Sequence, residues 1–524
     1  MFKLFTNKKF ITFCLLGVCL IGATFRLWHI TANNFFNYDE AVWMGRIRPI
    51  TDVIFKFRPF NHSQFWESFN TLGSVALKTD KALWTFVLGC RAYFTLPQSW
   101  FFPRMVSAIF GILSFFMVYC FANKYFSQNV ARWSVFIFAL LPGQVYYSRL
   151  GIQESMVIFL FLTGVYFYLF RCRWWQQALF SGFFWGCVFL ADYRMIIIPG
   201  LILFAEAYWG LVEKKGFQSR RYIWSMVVFG VIIFGVGSLN HGANTFVTFA
   251  WMFHQQNLSH GTFEIFNLLS YPYYLFRLES VFWGCLFFAN IYFLIKRQWH
   301  MAFPFMFVIL VMLIFSFPQE KGVRYVCFAM PFMVIAGALM VDQLMANRSR
   351  TVKILLGIFL LFMSIDHFKK DLAIAGAETA YEESVIAIKN TAGSNAKFIS
   401  SQDVIQALFM DDPESAMPVY NNVNYFVQLY QHGYRYLIIE PQAYVSFTED
   451  TKRFSPKLIG PLNFALTQLK PVWVYPHFSS IMLERFVLEH NENLTRSIQF
   501  LHDDQNNHYH CLRVYELKNF FGKL

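Results

Sequence analysis

The chain has 524 residues, of which 56% are hydrophobic and 20% aromatic while only 14% are charged, and this balance excludes an ordinary soluble domain. The net charge of +13 does not mark a nucleic-acid binder, because Lys and Arg fall in short clusters between apolar runs and not on one basic face. Nine cysteines, mostly single and inside apolar segments, show no CxxC or Cys/His ligand spacing, so neither a disulfide framework nor a structural zinc site is indicated.

Apolar runs long enough to cross a hydrocarbon core of ~30 Å at 1.5 Å per residue recur as far as residue 366. They lie near 10–30, 103–122, 132–148, 155–170, 176–191, 194–211, 222–239, 279–295, 300–317, 323–342 and 352–367. The expected fold is therefore a polytopic α-helical membrane protein with about eleven spans. The first run is followed by FFNYDEAVWMGR, which sets Asp39 and Glu40 between Tyr38 and Trp43 close to the bilayer. The connection 31–102 continues with AVWMGRIRPITDVIFKF and LKTDKALWTFVLGCRAYF, aromatic residues among Arg and Lys as in helices that lie in the interface plane. Only ADYR separates the fifth and sixth spans, which predicts a tight helical hairpin there. From about 368 the chain turns polar for some 155 residues, a normal domain size. Helix-like AETAYEESVIAIKN, QDVIQALF and NYFVQLYQHG alternate with strand-like AKFISS, YRYLIIE, PVWVYP and LRVYEL, the pattern of a small α/β domain. The expected organisation is a membrane module over 1–367, with 31–102 as its first outer loop, and a soluble α/β domain over 368–524.

Basic clusters occupy alternate connections: Lys3, Lys8 and Lys9; Lys124 and Arg132; Arg171 and Arg173; Lys214 to Arg221; Lys296 and Arg297; Arg348 to Lys353. The positive-inside rule makes these cytoplasmic. The amino terminus is then cytoplasmic, and 31–102, 149–154, 192–193, 240–278, 318–322 and everything after 367 face outward.

Charges at the outer ends of spans are costly unless they have a function or a partner. On this topology they gather on one face: Asp39 and Glu40 after the first span, Arg104 opening the second, Tyr147, Arg149 and Glu154 between the third and fourth, Asp192 and Arg194 between the fifth and sixth, His241 after the seventh, and Glu320, Lys321 and Arg324 between the ninth and tenth. A carboxylate at the membrane surface can act as general base toward a hydroxyl or amine, while Arg and Lys nearby hold a phosphate. The bland reading of each residue is an ion pair that ties the bundle together. A lone His241 is more often a satisfied polar residue than a ligand; no metal site is assigned, and a divalent metal is left open.

These residues carry a resemblance. The Asp39-Glu40 pair in the first outer loop resembles the signature of the GT-C membrane glycosyltransferases, in the branch of the protein O-mannosyltransferases and the lipid A aminoarabinose transferase. The block from Pro103 to Leu169, with Arg104 at its start, Tyr147-Ser148-Arg149 at the end of the third span and an acid shortly after, is similar to that family's second-to-fourth-span block. FPQEKGVRYVCFAMPFMVIAGALM resembles its Lys-x-x-Arg-Tyr loop, here Lys321, Arg324 and Tyr325. The resemblance covers roughly residues 10–370, and an outward α/β tail is also similar to what bacterial members carry. Two departures matter. Gln153-Glu154 stands where relatives carry Asp, and 240–278 is too short for the β-trefoil of the protein-mannosylating branch, which argues against protein mannosylation on that plan.

The resemblance implies a polyprenyl-phosphate-sugar donor and a lipid, glycan or protein acceptor at the outer face; the compact loops and the α/β tail favour a bacterial inner membrane with the C-terminal domain in the periplasm. With such a donor, an inverting transfer is expected in which Asp39 is the base and Glu40 its positioner, since a phosphate leaving group needs cations more than an acid. Lys321 and Arg324, with Arg149 helping, would hold the donor phosphate. Arg104, Tyr147, Glu154, Asp192, Arg194, His241 and Tyr325 would line the cavity. The alternative from another class is a transporter or flippase of a glycolipid; against it, no paired broken helices and no ATP-binding loop are visible.

Overall fold

The computed structural model describes residues 8–30, 38–56, 62–77, 79, 81–94, 101–169, 173–213, 218–239, 268–316, 323–346, 348–377, 379–419, 423–439, 469–476 and 511–521. Its internal contacts separate two compact units, one of Met1–Ile30 with Ile50–Ala375 and one of Thr31–Pro49 with Gly376–Leu524. The sequence division at 367/368 keeps all of 31–102 with the spans, whereas these contacts group Thr31–Pro49 with the C-terminal residues.

The first unit is helical. In chain order it uses α1 (Lys8–Leu27), the second half of α2 (Tyr38–Lys56), α3 (His62–Ala76), α4 (Ala82–Phe94), α5 (Phe101–Tyr125), α6 (Gln128–Ala139), α7 (Pro142–Arg149), α8 (Glu154–Leu169), α9 (Trp174–Ala191), α10 (Ile198–Glu213) and α11 (Ser219–Leu239). The helices Val281–Phe288, Trp299–Ser316, Met330–Met345, Arg350–Met363 and Ile365–Ala375 follow. Among the described residues six helices are long and apolar enough to cross a membrane, and α7 with α8, bent by 114°, makes a seventh if the pair is one span. Shorter apolar helices at Phe13–Leu27, Ala82–Phe94 and Val281–Ile295 fall below that length. The protein is a multi-pass membrane protein.

The expected third span, 132–148, is broken. α6 stops at Ala139, Leu141 is extended (φ −79°, ψ 113°), and Pro142 opens α7. Proline has no N–H to continue α6 and drives its predecessor out of the helical region, yet it fits the first position of a new helix. Where a hairpin is expected between the fifth and sixth spans, a 3-10 turn at Tyr193–Ile197 does join α9 to α10, but α9 packs on α8 and α11 and not along α10.

Lipid offers no hydrophobic drive for helices to associate, so close packing and buried polar pairs hold them. An added Cβ at Gly182 of α9 would lie 2.5 Å from the Ser225 carbonyl oxygen of α11, and one at Gly186 would lie 2.7 Å from Ile232 Cδ1. The same contact is bonded through Ser181 Oγ and Ser225 Oγ at 2.8 Å. Glu206 on α10 accepts from Tyr168 Oη on α8 at 2.6 Å and pairs with Arg221 on α11. Phe161, Phe307, Phe328 and Phe332 form an aromatic core, with Phe307 and Phe332 centroids 4.4 Å apart.

In the second unit the helices Tyr381–Ala392, Asp403–Ala407 and Val423–Gln431 accompany β1 (Lys397–Ser400), β2 (Ala416–Pro418), β3 (Tyr434–Ile439), β4 (Trp473–Pro476) and β5 (Cys511–Glu516). The sheet order is β2-β1-β3-β5-β4, with β1 parallel to β2 and β3, and β5 antiparallel to β3 and β4. Phe398 sits opposite Tyr436, and Leu437 opposite Tyr515. Phe398, Ile399, Leu437, Ile438 and Ile439 are all buried, as a strand covered on both faces requires. β4, at the edge, alternates half-buried with exposed. Glycines mark two of the helix-to-strand turns: Gly393 (φ 88°) ends the helix before β1 and Gly433 (φ 94°) the helix before β3, conformations a side chain resists. β2 escapes sequence reading because it is three residues long and ends in Pro418. The Thr31–Pro49 segment belongs to this unit: Arg48 Nη1 donates to the Met410 carbonyl at 3.2 Å, and the open Cα of Gly45 faces Leu408.

Candidate active site

The sequence-predicted residues that the structure brings together are Glu154, Asp192, Arg194, Tyr325 and Arg324, all in the helical unit. Asp192 ends α9, where its carboxylate accepts from the main-chain N–H of Arg194 at 3.0 Å. Arg194 Nε donates to both Asp192 oxygens at 2.8 Å, and its Nη2 also pairs with Asp192. The same Nη2 reaches Glu154 Oε1, at the first position of α8, at 3.2 Å. Gln153 Nε2 donates to that oxygen at 3.4 Å. All these side chains are buried. Two acids therefore share one guanidinium, an arrangement in which the fork geometry of arginine is needed. Burial alone would raise Asp192, but the Arg194 charge and hydrogen bonds hold its carboxyl below its ordinary range.

The Arg194 guanidinium lies over Tyr325, 4.8 Å from the ring centroid, and that of Arg324 lies 5.4 Å from the same centroid. Tyr325 is buried and Arg324 half-buried. From Val323 onward the chain folds in 3-10 turns at Val323–Tyr325 and Cys327–Ala329, so that Tyr325 is laid on the ion-pair cluster and Arg324 stays beside it. A loop stacked on a guanidinium gains a cation–π contact and a fixed ring plane.

Other predicted residues stand elsewhere. Arg149 donates Nη1 to the carbonyls of Phe25 and Trp28, each at 2.6 Å, and Nη2 to those of Ala375 at 3.1 Å and His29 at 3.4 Å. Arg104 is buried in α5, near enough for its charge to act on Arg149. Tyr147 is buried against Tyr146, ring centroids 5.1 Å apart. Asp39 falls in the first turn of α2, in the part grouped with the second unit, and Glu40 beside it is buried. Trp43, expected in an interfacial helix, is also buried, with Arg46 4.8 Å over its ring. The side chain of Asp39, and His241, Glu320 and Lys321, lie outside the described residues. Among the described residues no group of three His, Cys, Asp or Glu side chains is placed to hold a metal ion.

Two features go unread in the sequence. Lys81, just ahead of α4, is buried with its charge acting on both Glu154 and Asp192; by composition the stretch KTDKALW is ordinary surface amphipathicity. Glu279 is buried at the start of α7: its carboxylate meets the Gly143 N–H and accepts from Tyr274 Oη at 2.7 Å. A Cβ at Gly143 would sit 2.6 Å from Glu279 Oε1. The rule that flags a charge at a span end finds Glu279, ahead of the apolar run Val281–Phe288, when it is applied there.

Residues 97–241 match the family described as dolichyl-phosphate-mannose-protein mannosyltransferase. ArnT from Cupriavidus metallidurans superposes with a TM-score of 0.55 in its apo crystal structure, at 12% identity, over 83% of this chain and 93% of that one. Its structure bound to undecaprenyl phosphate gives 0.56 at 13% identity, over 90% and 96%. The Archaeoglobus fulgidus oligosaccharyltransferase in apo form gives 0.56 at 11% identity, over 84% and 70%. The chain has the GT-C fold. A search of the curated proteins returns no match. The matched stretch 97–241 contains Arg104, Tyr147, Arg149, Glu154, Asp192 and Arg194, so most of the ion-pair cluster lies inside it, while Tyr325 and Arg324 reach it only through folding.

Proposed function

We propose that this protein transfers a sugar from a polyprenyl-phosphate-linked donor to a lipid, glycan or protein acceptor at the outer face of a bacterial inner membrane. The observation that carries the reading is the buried Glu154–Arg194–Asp192 cluster. It lies in the stretch matched to the mannosyltransferase family and is capped by the Tyr325 ring with Arg324 beside it. ArnT, which shares the fold, is known bound to undecaprenyl phosphate. Because Asp192 and Glu154 already neutralise Arg194, its part is to fix the Tyr325 loop, which leaves Arg324 and Lys321 as the cations for a donor phosphate.

The transfer is a single inverting displacement. Asp39 takes the proton from the acceptor hydroxyl or amine, the freed lone pair attacks the anomeric carbon, and the bond from that carbon to the phosphate oxygen breaks. The lipid phosphate leaves with the electron pair, its growing charge met by Lys321 and Arg324. A phosphate is a good enough leaving group that cations serve it better than a proton donor does. Glu40 positions Asp39. Arg149, whose N–H groups are engaged by main-chain carbonyls, is not assigned to the phosphate.

Asp39→Asn should abolish transfer from a labelled polyprenyl-phosphate sugar while membrane insertion is unchanged; wild-type turnover in that variant removes the base assignment. Arg324→Ala should raise KM for the donor, and an unchanged KM returns Arg324 to a purely structural role.

A further inference from the structure

We propose that Arg149 is a positioning residue that pins together two of the points at which the chain leaves the helical unit. It rests on the sugar-transfer reading in one respect only: the first of these points leads, within ten residues, to the helix that carries Asp39.

The carbonyls that Arg149 holds come from two helix ends. Phe25 lies in the last turn of α1, and Trp28 and His29 are the residues directly after it. Ala375 is the last residue of the helix Ile365–Ala375. The last four carbonyls of any helix lack a partner within it, and they form the negative end of its dipole, so a cation placed there satisfies both needs. One guanidinium does this for both helices, Nη1 for Phe25 and Trp28 and Nη2 for His29 and Ala375. The two compact units change over directly beyond, at Ile30/Thr31 and at Ala375/Gly376.

Other contacts agree with a built junction. Phe25 and Phe368 meet edge to face at 5.1 Å, a second link between the same two helices. His29 has a left-handed φ of 50°, the conformation in which a chain turns off the end of a helix. Arg149 itself is held in place from both ends of α7. At the start, the Glu279 carboxyl accepts from the Gly143 N–H, one of the donors that a helix leaves without an internal partner. Near its end, α7 lies so close to α5 that a Cβ on Gly111 would come within 2.3 Å of Ser148 Oγ. On the α6 side of the break, Arg26 donates to the carbonyls of Phe138 at 3.4 Å and Ala139 at 2.8 Å. The run Tyr147-Ser148-Arg149 thereby acquires a mechanical role, in which its arginine fastens the chain exits instead of gripping an anion.

The test is hydrogen exchange on the full-length protein in detergent, comparing wild type with Arg149→Ala and Arg149→Lys. Arg149→Ala should speed exchange about tenfold or more at both 26–30 and 372–377, the loss of charged hydrogen bonds to those ends, while the strand 434–439 keeps wild-type protection as a control for folding. Arg149→Lys, a point charge that can serve only one end, should restore protection at one stretch and not both. In the transfer assay both variants should lose kcat with donor KM unchanged. Should Arg149→Ala not accumulate, the lysine variant carries the test alone. Wild-type exchange at both stretches in the lysine variant, or a raised donor KM with exchange unchanged, overturns the proposal. Failure of the wild-type protein to transfer any sugar would instead defeat the functional reading and leave the exchange result standing.

Discussion

At the scale of single residues, the charges near span ends sort by what surrounds them. Arg194 is enclosed by two carboxylates and a ring, so removing it strands two buried acids. Arg194→Leu is expected to cost about 3–5 kcal/mol, read as a large drop in thermal unfolding temperature in detergent, whereas Arg324→Ala, half-buried beside the same ring, should leave that temperature close to wild type. The acid Asp192 adds a pH signature. Its folded carboxyl lies below the unfolded value of about 3.9, so its stabilisation is full above that value and is lost as pH falls through the lower folded one. Unfolding temperature should therefore fall more steeply with acidification in wild type than in Asp192→Asn, and parallel curves would contradict this. Sequence reading singles out Arg194, Glu154 and Asp192 because charges near lipid demand an explanation. It passes over Lys81, since one basic residue beside aromatics looks the same whether it faces water or protein; Glu279, at the start of the expected span 279–295, is within reach of the same span-end rule.

At the scale of elements, composition set which segments are helical and sterics set where they break. Residues 135–141 are apolar throughout, and only Pro142 shows that the run 132–148 cannot be one straight helix; the 114° bend between α7 and α8 follows no hydropathy signal. That bend brings Glu154 to Arg194. Close approach of α9 and α11 likewise depends on Gly182, whose added Cβ would meet a main-chain oxygen at 2.5 Å with no flexible group to yield. Gly182→Ala should destabilise by about 1–3 kcal/mol, while Gly235→Ala on α11, where an added Cβ meets nothing within 4 Å, should not. Equal unfolding temperatures for the two variants would show that the helices shift apart freely.

At the scale of the whole molecule, the segment that bears Asp39 is compacted with the C-terminal residues through Arg48 and Met410. A chain ending at Ala375 removes what that segment packs on. It is expected to insert and keep its helical circular dichroism yet to lose transfer activity by two orders of magnitude or more, in the range of a displaced catalytic group, roughly 10²-fold; transfer at wild-type rate by the truncated chain would show that the C-terminal residues do not support Asp39. What the sequence determined by itself was the solvent and the periodicity: apolar runs matched to a bilayer, Lys and Arg in alternate connections, and an α/β alternation after 368, because those follow from hydropathy and local propensity alone. What only the tertiary structure decided was partnership. Arg149 reads in the sequence like any phosphate-binding arginine, and it is the meeting of α1 with the helix Ile365–Ala375, more than two hundred residues apart, that turns it toward carbonyl groups. A hydrogen-bond partner at such separation leaves no trace in local composition, since the fold alone brings the two ends together.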